Sequence, residues 1–416
     1  MPESPIPVLI VDDDPSVGAW LQLLVRRMGD SLRCSATWVT TGAVMLEELE
    51  RRRYELVLLD YHLQDTDGLV LLGRIQEMPK DRRPAVIMLT GGGNEQIAVE
   101  AMKRGARDYL IKASLDQATI RRAMTAALET RRLEAELARS NEELRQKNAQ
   151  MEAELAVARD VQEALLPSQY PVVPKNAAPG QSTLQFAHRW IPSSAMAGDF
   201  FEVFPVAHTA AGVFLCDVMG HGVRASLVTA LIRGLLEETI VWAAEPGRMM
   251  EELNRALRAI LQRSDTVLFA TAFYLVIDAT RKELRYANAA HPNPILIRRT
   301  AGVVEYLASA GGPDPAIALL PDADYASHSL MLAPGDSVLL FTDGLYEAET
   351  SKGEAFGADR LLASVRSRMA EGKEALMDGV LGDLRAFLGV EKGAALEDDV
   401  CMVMVELAAA QNSAGA

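Results

Sequence analysis

The first 125 residues alternate short apolar runs with segments of helical periodicity. The apolar runs cover residues 8–11, 56–59, 86–89 and 109–111, with a weaker candidate at 34–39. Turn-forming or acidic residues bound each run, and the intervening chain is long enough for a crossover helix. Strands that are apolar on both faces and alternate with helices are typical of a parallel sheet covered by helices. The pattern therefore predicts an α/β doubly wound domain over residues 1–125.

Residues 124–166 have a different composition, without glycine or proline and rich in Ala, Glu, Leu, Arg and Gln. Every seventh position fits a d seam, with Leu137, Leu144, Met151, Ala158 and Leu165. The matching a positions hold Asn141, Asn148 and Leu155. One alternative is a long solvated single helix, but asparagine at a positions favours a parallel, two-stranded coiled coil. We therefore expect a helical, dimerising linker over residues 126–168. Pro167 and Pro171 should end its helix.

Residues 184–407 mix strand and helix patterns in the way that is typical of an α+β domain. The predicted strands are 214–218, 269–277, 284–287, 294–298, 337–341 and 400–405. The predicted helices are 225–242, 246–262, 358–368 and 373–388. Because the strands come in sequence runs, we expect antiparallel sheets. Residues 409–416 are small and polar, and we expect them to form a flexible tail.

The chain of 416 residues carries 42 basic and 57 acidic side chains, a formal net charge of −15. This charge, without a basic recognition helix, argues against direct binding of nucleic acid. The three cysteines lie far apart, which argues against a disulfide framework or a structural zinc site. No apolar run approaches the roughly 18–20 residues of a membrane span, and no basic segment precedes the first apolar run. We therefore expect a cytoplasmic, multidomain protein with no membrane partner.

Polar side chains follow the predicted strands of the first domain at the point where each strand ends. They are Asp12, Asp13, Asp14, Asp60, Thr90 and Lys112. Since the carboxyl ends of parallel strands meet at one edge of a sheet, these side chains should converge. Converging carboxylates call for a divalent cation such as Mg²⁺, and a lysine and a hydroxyl beside them suit a phosphoryl group. The alternative is that the aspartates cap helices, which explains one or two of them.

This part of the chain resembles the receiver domains of two-component response regulators. The resemblance rests on VLIVDDDPSV (8–17), LVLLDYHLQDTDG (56–68), IMLTGGG (87–93) and GARDYLIKA (105–113). It implies a flavodoxin-like fold, and a histidine kinase or phosphotransfer protein as the partner that supplies the phosphoryl group. One departure is Ala113, because the family usually has proline after the lysine.

The resemblance also implies a role for each polar residue at this edge. Asp60 is the implied phosphoacceptor, with Thr90 contacting the phosphoryl group and Lys112 pairing with it. Tyr109 stands where the family has its switch aromatic residue. The implied Mg²⁺ ligands are Asp13, Asp60 and the backbone carbonyl of His62, with Asp12 assisting.

Acidic residues also stand at the rims of strands in the C-terminal region. The segments are AGDFFE (197–202), VFLCDVMGHG (213–222), LLFTDGLYEAET (339–350) and LEDDVCMVMV (396–405). Their aspartates are Asp199, Asp217, Asp343, Asp398 and Asp399. Such carboxylates are costly to bury unless they share cations. Hard oxygen ligands without a His or Cys pair imply two Mg²⁺ or Mn²⁺ ions rather than zinc, and such a pair can activate water for attack at phosphorus.

Two alternatives compete with this metal site. Asp-Gly and Gly-Asp pairs are ordinary in hairpin turns. A simple turn would explain Asp199, but it is a less favoured explanation for Asp217 and Asp343, which stand at the ends of apolar strands. A nucleophilic enzyme would instead need an activated cysteine or serine. Cys216 lies beside Asp217, which disfavours a thiolate, and His291 has no evident serine partner.

Residues 155–408 resemble the metal-dependent serine/threonine protein phosphatases of the type 2C superfamily, and within it the sporulation-phosphatase and stress-regulator branch. Besides the acidic segments, ARDVQEALLP (158–167) and YANAAHPNPILI (286–297) carry the resemblance. It implies an αββα sandwich, with two Mn²⁺ or Mg²⁺ ions between antiparallel sheets, in a domain over residues 169–408.

The resemblance implies that Asp217 bridges the two metal ions and that Asp199 orients metal-bound water. The other implied ligands are the backbone carbonyl of Val218, Asp343, and one of the pair Asp398 and Asp399, with Asp398 preferred. AGDFFE has alanine where the family commonly has glycine, and glutamate where it often has aspartate.

The two resemblances together imply a response regulator in which phosphorylation of Asp60 controls a protein serine/threonine phosphatase. The implied substrate is a phosphorylated anti-anti-sigma-factor protein, and the linker implies a homodimer. An alternative is a non-catalytic adaptor that binds a sigma factor or an anti-sigma regulator under receiver control. The sequence favours the enzyme, because it has all four of the aspartates that the resemblance implies for the phosphatase site: Asp199, Asp217, Asp343 and Asp398.

Overall fold

The computed structural model describes residues 5–28, 32–92, 95–178, 180–220, 222–262, 267–307, 312 and 314–408. The expected flexible tail, 409–416, lies outside the described residues. The chain divides into two compact units, Met1–Ala149 and Gln150–Ala416, and one long helix belongs to both.

The first unit is a parallel five-stranded sheet with helices on both faces. Its strands are β1 (Ile6–Val11), β2 (Cys34–Val39), β3 (Leu56–Asp60), β4 (Ala85–Thr90) and β5 (Asp108–Ile111), in the order β2-β1-β3-β4-β5. Its helices are α1 (Pro15–Arg26), α2 (Gly42–Arg51), α3 (Gly68–Glu77), α4 (Glu95–Lys103) and the first part of α5 (Gln117–Leu165). This is the flavodoxin-like strand order, and the predicted doubly wound domain is confirmed.

The central strands are apolar on both faces because helices cover both sides of the sheet. In β1, Val8 and Ile10 pack with α1 and α5, while Leu9 and Val11 pack with α2 and α3. All four side chains are fully buried. The first turns of α5 contribute Ile120, Ala123, Met124 and Ala127 to the same core.

Helix α5 continues well past its last core residue, and polar contacts anchor its next turns to the receiver unit. Arg131 is mostly buried, forms an ion pair with Glu55, and donates from Nε to the Arg83 carbonyl at 3.0 Å. Arg107 pairs with Glu134 one turn further on. Beyond that point Leu137, Leu144 and Met151 of the predicted d seam are exposed, with Leu144 at 56% and Met151 at 61%, whereas Ala158 and Leu165 are partly buried. The expected helix is confirmed.

The second unit contains two five-stranded antiparallel sheets. The first has the order β13-β10-β9-β8-β7, built from β7 (Asp199–Pro205), β8 (Ala210–Val218), β9 (Ala270–Asp278), β10 (Glu283–Ala289) and β13 (His328–Met331). The second has the order β12-β11-β14-β15-β6, built from β6 (Leu184–Ile191), β11 (Ile295–Arg298), β12 (Val303–Tyr306), β14 (Ser337–Phe341) and β15 (Val400–Leu407).

The two sheets pack face to face, and helices cover the outer face of each. Phe201, Leu215 and Phe273 of the first sheet meet Leu340 and Val403 of the second in one buried cluster. Helices α6 (Val223–Thr239) and α7 (Pro246–Leu261) cover the first sheet, and α8 (Gly357–Ser367) and α9 (Lys373–Leu388) cover the second. The expected αββα sandwich is confirmed.

The four strands missing from the predicted set are β6, β7, β12 and β13, which are the edge strands of the two sheets. An edge strand has one neighbour and a less strict apolar pattern, as the alternating exposure of β13 shows. Strand β7 begins at Asp199 directly after a glycine, so the sequence favours a turn there. No helix in the described part of the chain is both long and apolar enough to cross a membrane.

Candidate functional sites

The carboxyl edge of the parallel sheet gathers the predicted acidic residues around one lysine. Lys112 Nζ lies 2.7 Å from Asp12 Oδ2 and 2.8 Å from Asp60 Oδ2. Asp12, Asp13 and Asp60 each offer a carboxylate oxygen within 4.8 Å of the others. Asp12 and Asp60 are buried. The convergence that the strand ends predict is therefore present.

Electrostatics at this edge favour a cation. Burial raises the pKa of Asp60, and Lys112 opposes the rise without cancelling it. Burial lowers the pKa of Lys112, but its hydrogen bonds to Asp12 and Asp60 outweigh burial and raise it overall. Three carboxylates against one ammonium leave an excess of negative charge among oxygen donors, which fits a hard divalent ion such as Mg²⁺.

The predicted hydroxyl and the predicted switch aromatic residue touch each other. Thr90 Oγ1 lies 3.1 Å from the Tyr109 hydroxyl, and it donates to the Gly92 carbonyl at 2.7 Å. Thr90 is buried at the end of β4, whereas Tyr109 in β5 is partly exposed. A displacement of Thr90 would therefore reach Tyr109 through one hydrogen bond.

Local sequence explains how this edge is shaped. Asp14 caps α1 by accepting from the amides of Ser16 and Val17, so helix capping is the right interpretation for this aspartate and not for its two predecessors. Gly68 is required at the start of α3, because a Cβ there would lie 2.4 Å from the carbonyl of Asp60.

The second acidic set is distributed over both sheets of the sandwich. Asp199 opens β7 and stands in register with Asp217 at the end of β8. Asp343 follows β14 in a short 3-10 turn, and Asp398 precedes β15. The Thr342 hydroxyl donates to Asp199 Oδ2 at 2.7 Å and so ties the two sheets together beside the acidic residues.

The pKa shifts show that these carboxylates face one another. Burial raises the pKa of Asp217 to about 7, with help from surrounding negative charges. Those charges belong to Asp343, Asp398, Asp399 and Glu347. Burial and then Asp217 raise the pKa of Asp199 well above its usual value, despite the hydrogen bond from Thr342. Ionised carboxylates in such a cluster need cations, and Mg²⁺ or Mn²⁺ fits an all-oxygen donor set.

Glu347 was not among the predicted residues. It lies one turn after Asp343, donates its amide to the Asp343 carbonyl at 2.8 Å, and is exposed. Its charge helps to raise the pKa of Asp343. Glu347 follows Asp343 by four residues, within LYEAET, and this spacing is the sequence signal from which it could have been predicted.

The two aspartates before β15 differ in burial and in hydrogen bonding. Asp399 is buried and accepts from the amide and hydroxyl of Ser193 at 2.7 and 2.8 Å, and from the Gly198 amide at 2.7 Å. Both of its oxygens are thus engaged by one loop. Asp398 is exposed, and its Oδ1 accepts from the Asp399 amide at 2.8 Å. Asp398 is therefore the freer ligand of the two.

The carboxylates of the sandwich are more widely spaced than those of the receiver unit. Among the described residues, Asp12, Asp13 and Asp60 form the one set of three or more ligand atoms that all lie within 4.8 Å of one another.

The end of helix α5 contacts the loop that leads to Asp199. The buried Gln162 side chain donates to the Ala197 carbonyl at 2.8 Å and accepts from the Ala197 amide at 3.0 Å. Glu202 forms an ion pair with Arg233 of α6 at 2.7 Å. Alanine and glutamate in AGDFFE are therefore held by partners other than the clustered aspartates.

Comparisons with known proteins agree with both halves of the chain. The family model for the response regulator receiver domain matches residues 8–123, and that for stage II sporulation protein E (SpoIIE) matches residues 208–408. Phosphoserine phosphatase RsbP of Bacillus subtilis is 28% identical over 255 residues, which are 61% of this chain and 58% of that protein. Phosphoserine phosphatase RsbU of the same organism is 24% identical over 204 residues, 49% of this chain and 56% of that protein.

A solved structure shows the same fold in the second unit. The SiaA-PP2C domain of Pseudomonas aeruginosa superimposes with a TM-score of 0.52 and 23% identity, covering 62% of this chain and 98% of that domain. The chain spans less than two thirds of the length of RsbP and RsbU. The chain thus combines a segment that matches the receiver-domain model with a second segment that matches the SpoIIE model and has the fold of the SiaA-PP2C domain.

Gly344 is expected to be essential for the spacing of the acidic loops. A Cβ there would lie 2.1 Å from the Asp399 carbonyl, so Gly344→Ala must push the Asp343 turn away from the Asp398 segment. We expect a loss of about 1–3 kcal/mol in the free energy of unfolding of this unit, measured by urea denaturation. Gly382→Ala in α9 is the matched control, because a Cβ there meets nothing within 4 Å. Equal stability of the two variants would contradict the tight approach.

Proposed function

We propose that this protein is a metal-dependent protein serine/threonine phosphatase whose activity is set by phosphorylation of its receiver domain. The observation that supports the enzyme most directly is the clustering of Asp199, Asp217 and Asp343, because burial raises the pKa of each carboxyl and neighbouring carboxylates raise it further. A structural role alone would not require several carboxylates to be buried against each other. The names of RsbP and RsbU, both phosphoserine phosphatases, support the same activity.

The proposed metal ligands follow from the geometry of the acidic cluster. Asp217 is central, because its charge faces both Asp343 and Asp398, and it is the proposed bridge between two Mn²⁺ or Mg²⁺ ions. The Val218 carbonyl, which approaches Gly198, is the proposed backbone ligand. When bound, the ions would supply an activated water and neutralise charge on the phosphoryl group. Asp199, held by Thr342, would orient that water.

The proposed phosphorylation site is Asp60, with a histidine kinase or phosphotransfer protein as donor. Lys112 contacts Asp60 directly and would pair with the added phosphoryl group. Asp12, Asp13 and the His62 carbonyl would complete the Mg²⁺ site with Asp60. The hydrogen bond between Thr90 and Tyr109 offers the first step away from the site.

The proposed substrate is a phosphorylated anti-anti-sigma-factor protein of a partner-switching pathway. This assignment rests on the branch of the family that the chain resembles and on the relatives' printed activity. The second candidate, a non-catalytic adaptor, would not need the acidic cluster. Because Asp199, Asp217, Asp343 and Asp398 are all present at the two sheets, the enzyme is favoured.

We also propose the boundaries 1–125 for the receiver domain, 126–168 for the linker and 169–408 for the phosphatase domain. The exposed seam of α5, with Leu137, Leu144 and Met151 uncovered, supports pairing of two linkers in a homodimer. A pair of helices that is anchored at both ends is a suitable two-state element, whose equilibrium both the phosphorylation site and the phosphatase site would influence.

Hydrolysis of p-nitrophenyl phosphate and of a phosphoserine protein should require added Mn²⁺ or Mg²⁺. Asp343→Asn should lower kcat/KM by at least about 100-fold, because the amide is a poor ligand for a hard cation. The control is Asp359→Asn, which changes an exposed aspartate of the same domain. Full turnover in excess chelator would contradict the proposed enzyme and leave the adaptor as the better function.

Asp60→Asn should abolish phosphorylation by acetyl phosphate, since an amide cannot form the acyl phosphate. The measurement is retention on phosphate-affinity gels, with Asp81→Asn as an exposed control in the same domain. In wild-type protein, acetyl phosphate should change phosphatase activity, and in Asp60→Asn it should not. Phosphorylation that persists in Asp60→Asn would place the acceptor elsewhere.

The double variant Leu144→Gln/Met151→Gln should weaken dimerisation and uncouple phosphatase activity from Asp60 phosphorylation. Removing two seam side chains takes away the apolar area that pairing would bury. Light scattering measures the mass, and activity with and without acetyl phosphate measures the coupling. Ala149→Gln, outside the seam, is the control. A monomeric wild type, or unchanged regulation in the double variant, would argue for direct contact between the domains.

A further inference from the structure

His291 is a buried histidine that the proposed mechanism does not use. It lies in the segment YANAAHPNPILI and is 4% exposed. The sequence shows no serine partner, but the fold supplies a threonine, because His291 Nδ1 lies 2.8 Å from Thr271 Oγ1 in β9.

Thr271 stands directly beside the acidic cluster. In the antiparallel sheet it is the register partner of Asp217, which is itself the register partner of Asp199. Residues opposite each other on neighbouring antiparallel strands share a face, with Cβ atoms about 4.5–5.5 Å apart. Asp199, Asp217 and Thr271 therefore form one row across β7, β8 and β9, and His291 closes the end of that row.

The turn that carries His291 is fixed by several hydrogen bonds. Asn288 Oδ1 accepts from the His291 amide at 2.8 Å, and Asn288 Nδ2 donates to the His291 carbonyl at 3.0 Å. Ala290, just before the histidine, has a left-handed φ of 56°, which is unfavourable for a residue with a side chain. Such a conformation persists only where its surroundings impose it. The backbone of this turn is thus shaped to place the ring.

The ring also faces the second sheet. Burial lowers the pKa of His291 to about 3, which the nearby backbone of Phe341 partly opposes, and the buried Nε2 has no hydrogen-bond partner among the described residues. The imidazole is therefore neutral, with one donor and one acceptor. Phe341 ends β14, and the next residue, Thr342, donates to Asp199. His291 accordingly lies between the Asp217 row and the strand that leads to Asp343.

We propose that His291 is a positioning residue of the phosphatase site, which fixes the Thr271 hydroxyl beside Asp217. The inference rests on the proposed function, because it assigns a role in the same metal site. His291 contacts no carboxylate of the cluster. Its effect passes through the Thr271 hydroxyl.

The test compares His291→Gln, His291→Asn and Thr271→Val in the full chain. An asparagine side chain places a polar atom near the position of Nδ1, whereas glutamine places one near Nε2. We therefore expect His291→Asn to retain most of the function. His291→Gln and Thr271→Val should each weaken Mn²⁺ binding about 10–100-fold, as is usual for groups that orient metal ligands. Isothermal titration calorimetry measures this binding without reference to turnover.

Two further measurements separate positioning from a general loss of structure. The double variant Thr271→Val/His291→Gln should bind Mn²⁺ no more weakly than His291→Gln alone, because both changes break one interaction. His188→Gln is the matched control, since His188 is another partly buried histidine, whose Nδ1 lies 2.5 Å from the Tyr170 hydroxyl. It should leave Mn²⁺ affinity unchanged. Thermal unfolding in chelator reports whether each variant is folded, and Thr271→Val, nearly isosteric, is the variant least prone to misfold.

The outcomes distinguish this inference from the proposed function. If wild-type protein binds Mn²⁺ and is active, but His291→Gln and Thr271→Val bind Mn²⁺ equally well, the positioning role is wrong and the phosphatase stands. Additive losses in the double variant would also overturn it. If wild-type protein neither binds Mn²⁺ nor hydrolyses phosphoserine, the proposed function fails and the inference fails with it.

Discussion

The burial of several carboxylates close together, to which their mutual repulsion adds, is the constraint on which both candidate sites depend. A pKa raised from 3.8 to about 7, as at Asp217, means that ionisation costs on the order of a few kcal/mol more than in water. That is a large fraction of the stability of an ordinary domain. The receiver unit offsets its repulsion partly with Lys112, which contacts two of the three carboxylates. No cationic side chain acts on Asp199 or Asp217 among the main causes of their shifts, so a divalent ion has more to contribute there.

The acidic residues can be brought together because neutral groups hold their backbones in place. In the receiver unit, Trp38 Nε1 donates to the Asp12 carbonyl at 2.9 Å, and Gly68 lets α3 approach Asp60. In the sandwich, both carboxylate oxygens of Asp399 accept hydrogen bonds from the loop at 193–198. Asp399 therefore supports this loop and is not a free ligand. Gly344 allows the neighbouring turn to touch this support. Each cluster therefore has a shell of hydrogen bonds and close contacts that opposes its repulsion.

The elements that could be predicted from the sequence are those whose signal is local. The central strands of all three sheets are continuous apolar runs, and α5 shows its seven-residue repeat directly. Among the four edge strands that were missed, β13 alternates between partly buried and exposed positions, and β7 begins directly after a glycine that favours a turn. The clustered aspartates were found at strand ends, but Ser193, Ala197 and Thr271, which bond to Asp399, Gln162 and His291, lie 206, 35 and 20 residues from them in the chain. Such pairings depend on the packing of the sheets, and no spacing rule within one segment reveals them.

A short series of hydrogen bonds connects the end of helix α5 to the acidic cluster. Gln162 is hydrogen-bonded to both backbone groups of Ala197, and the next amide, that of Gly198, donates to Asp399. Gly198 also accepts from the Val218 amide at 3.2 Å and precedes Asp199. A shift or rotation of the helix end would therefore strain a loop that holds Asp199 and Asp399 at once. Any displacement of this loop would therefore change the spacing of the acidic residues that it holds. The helix need not touch any metal ligand to do so.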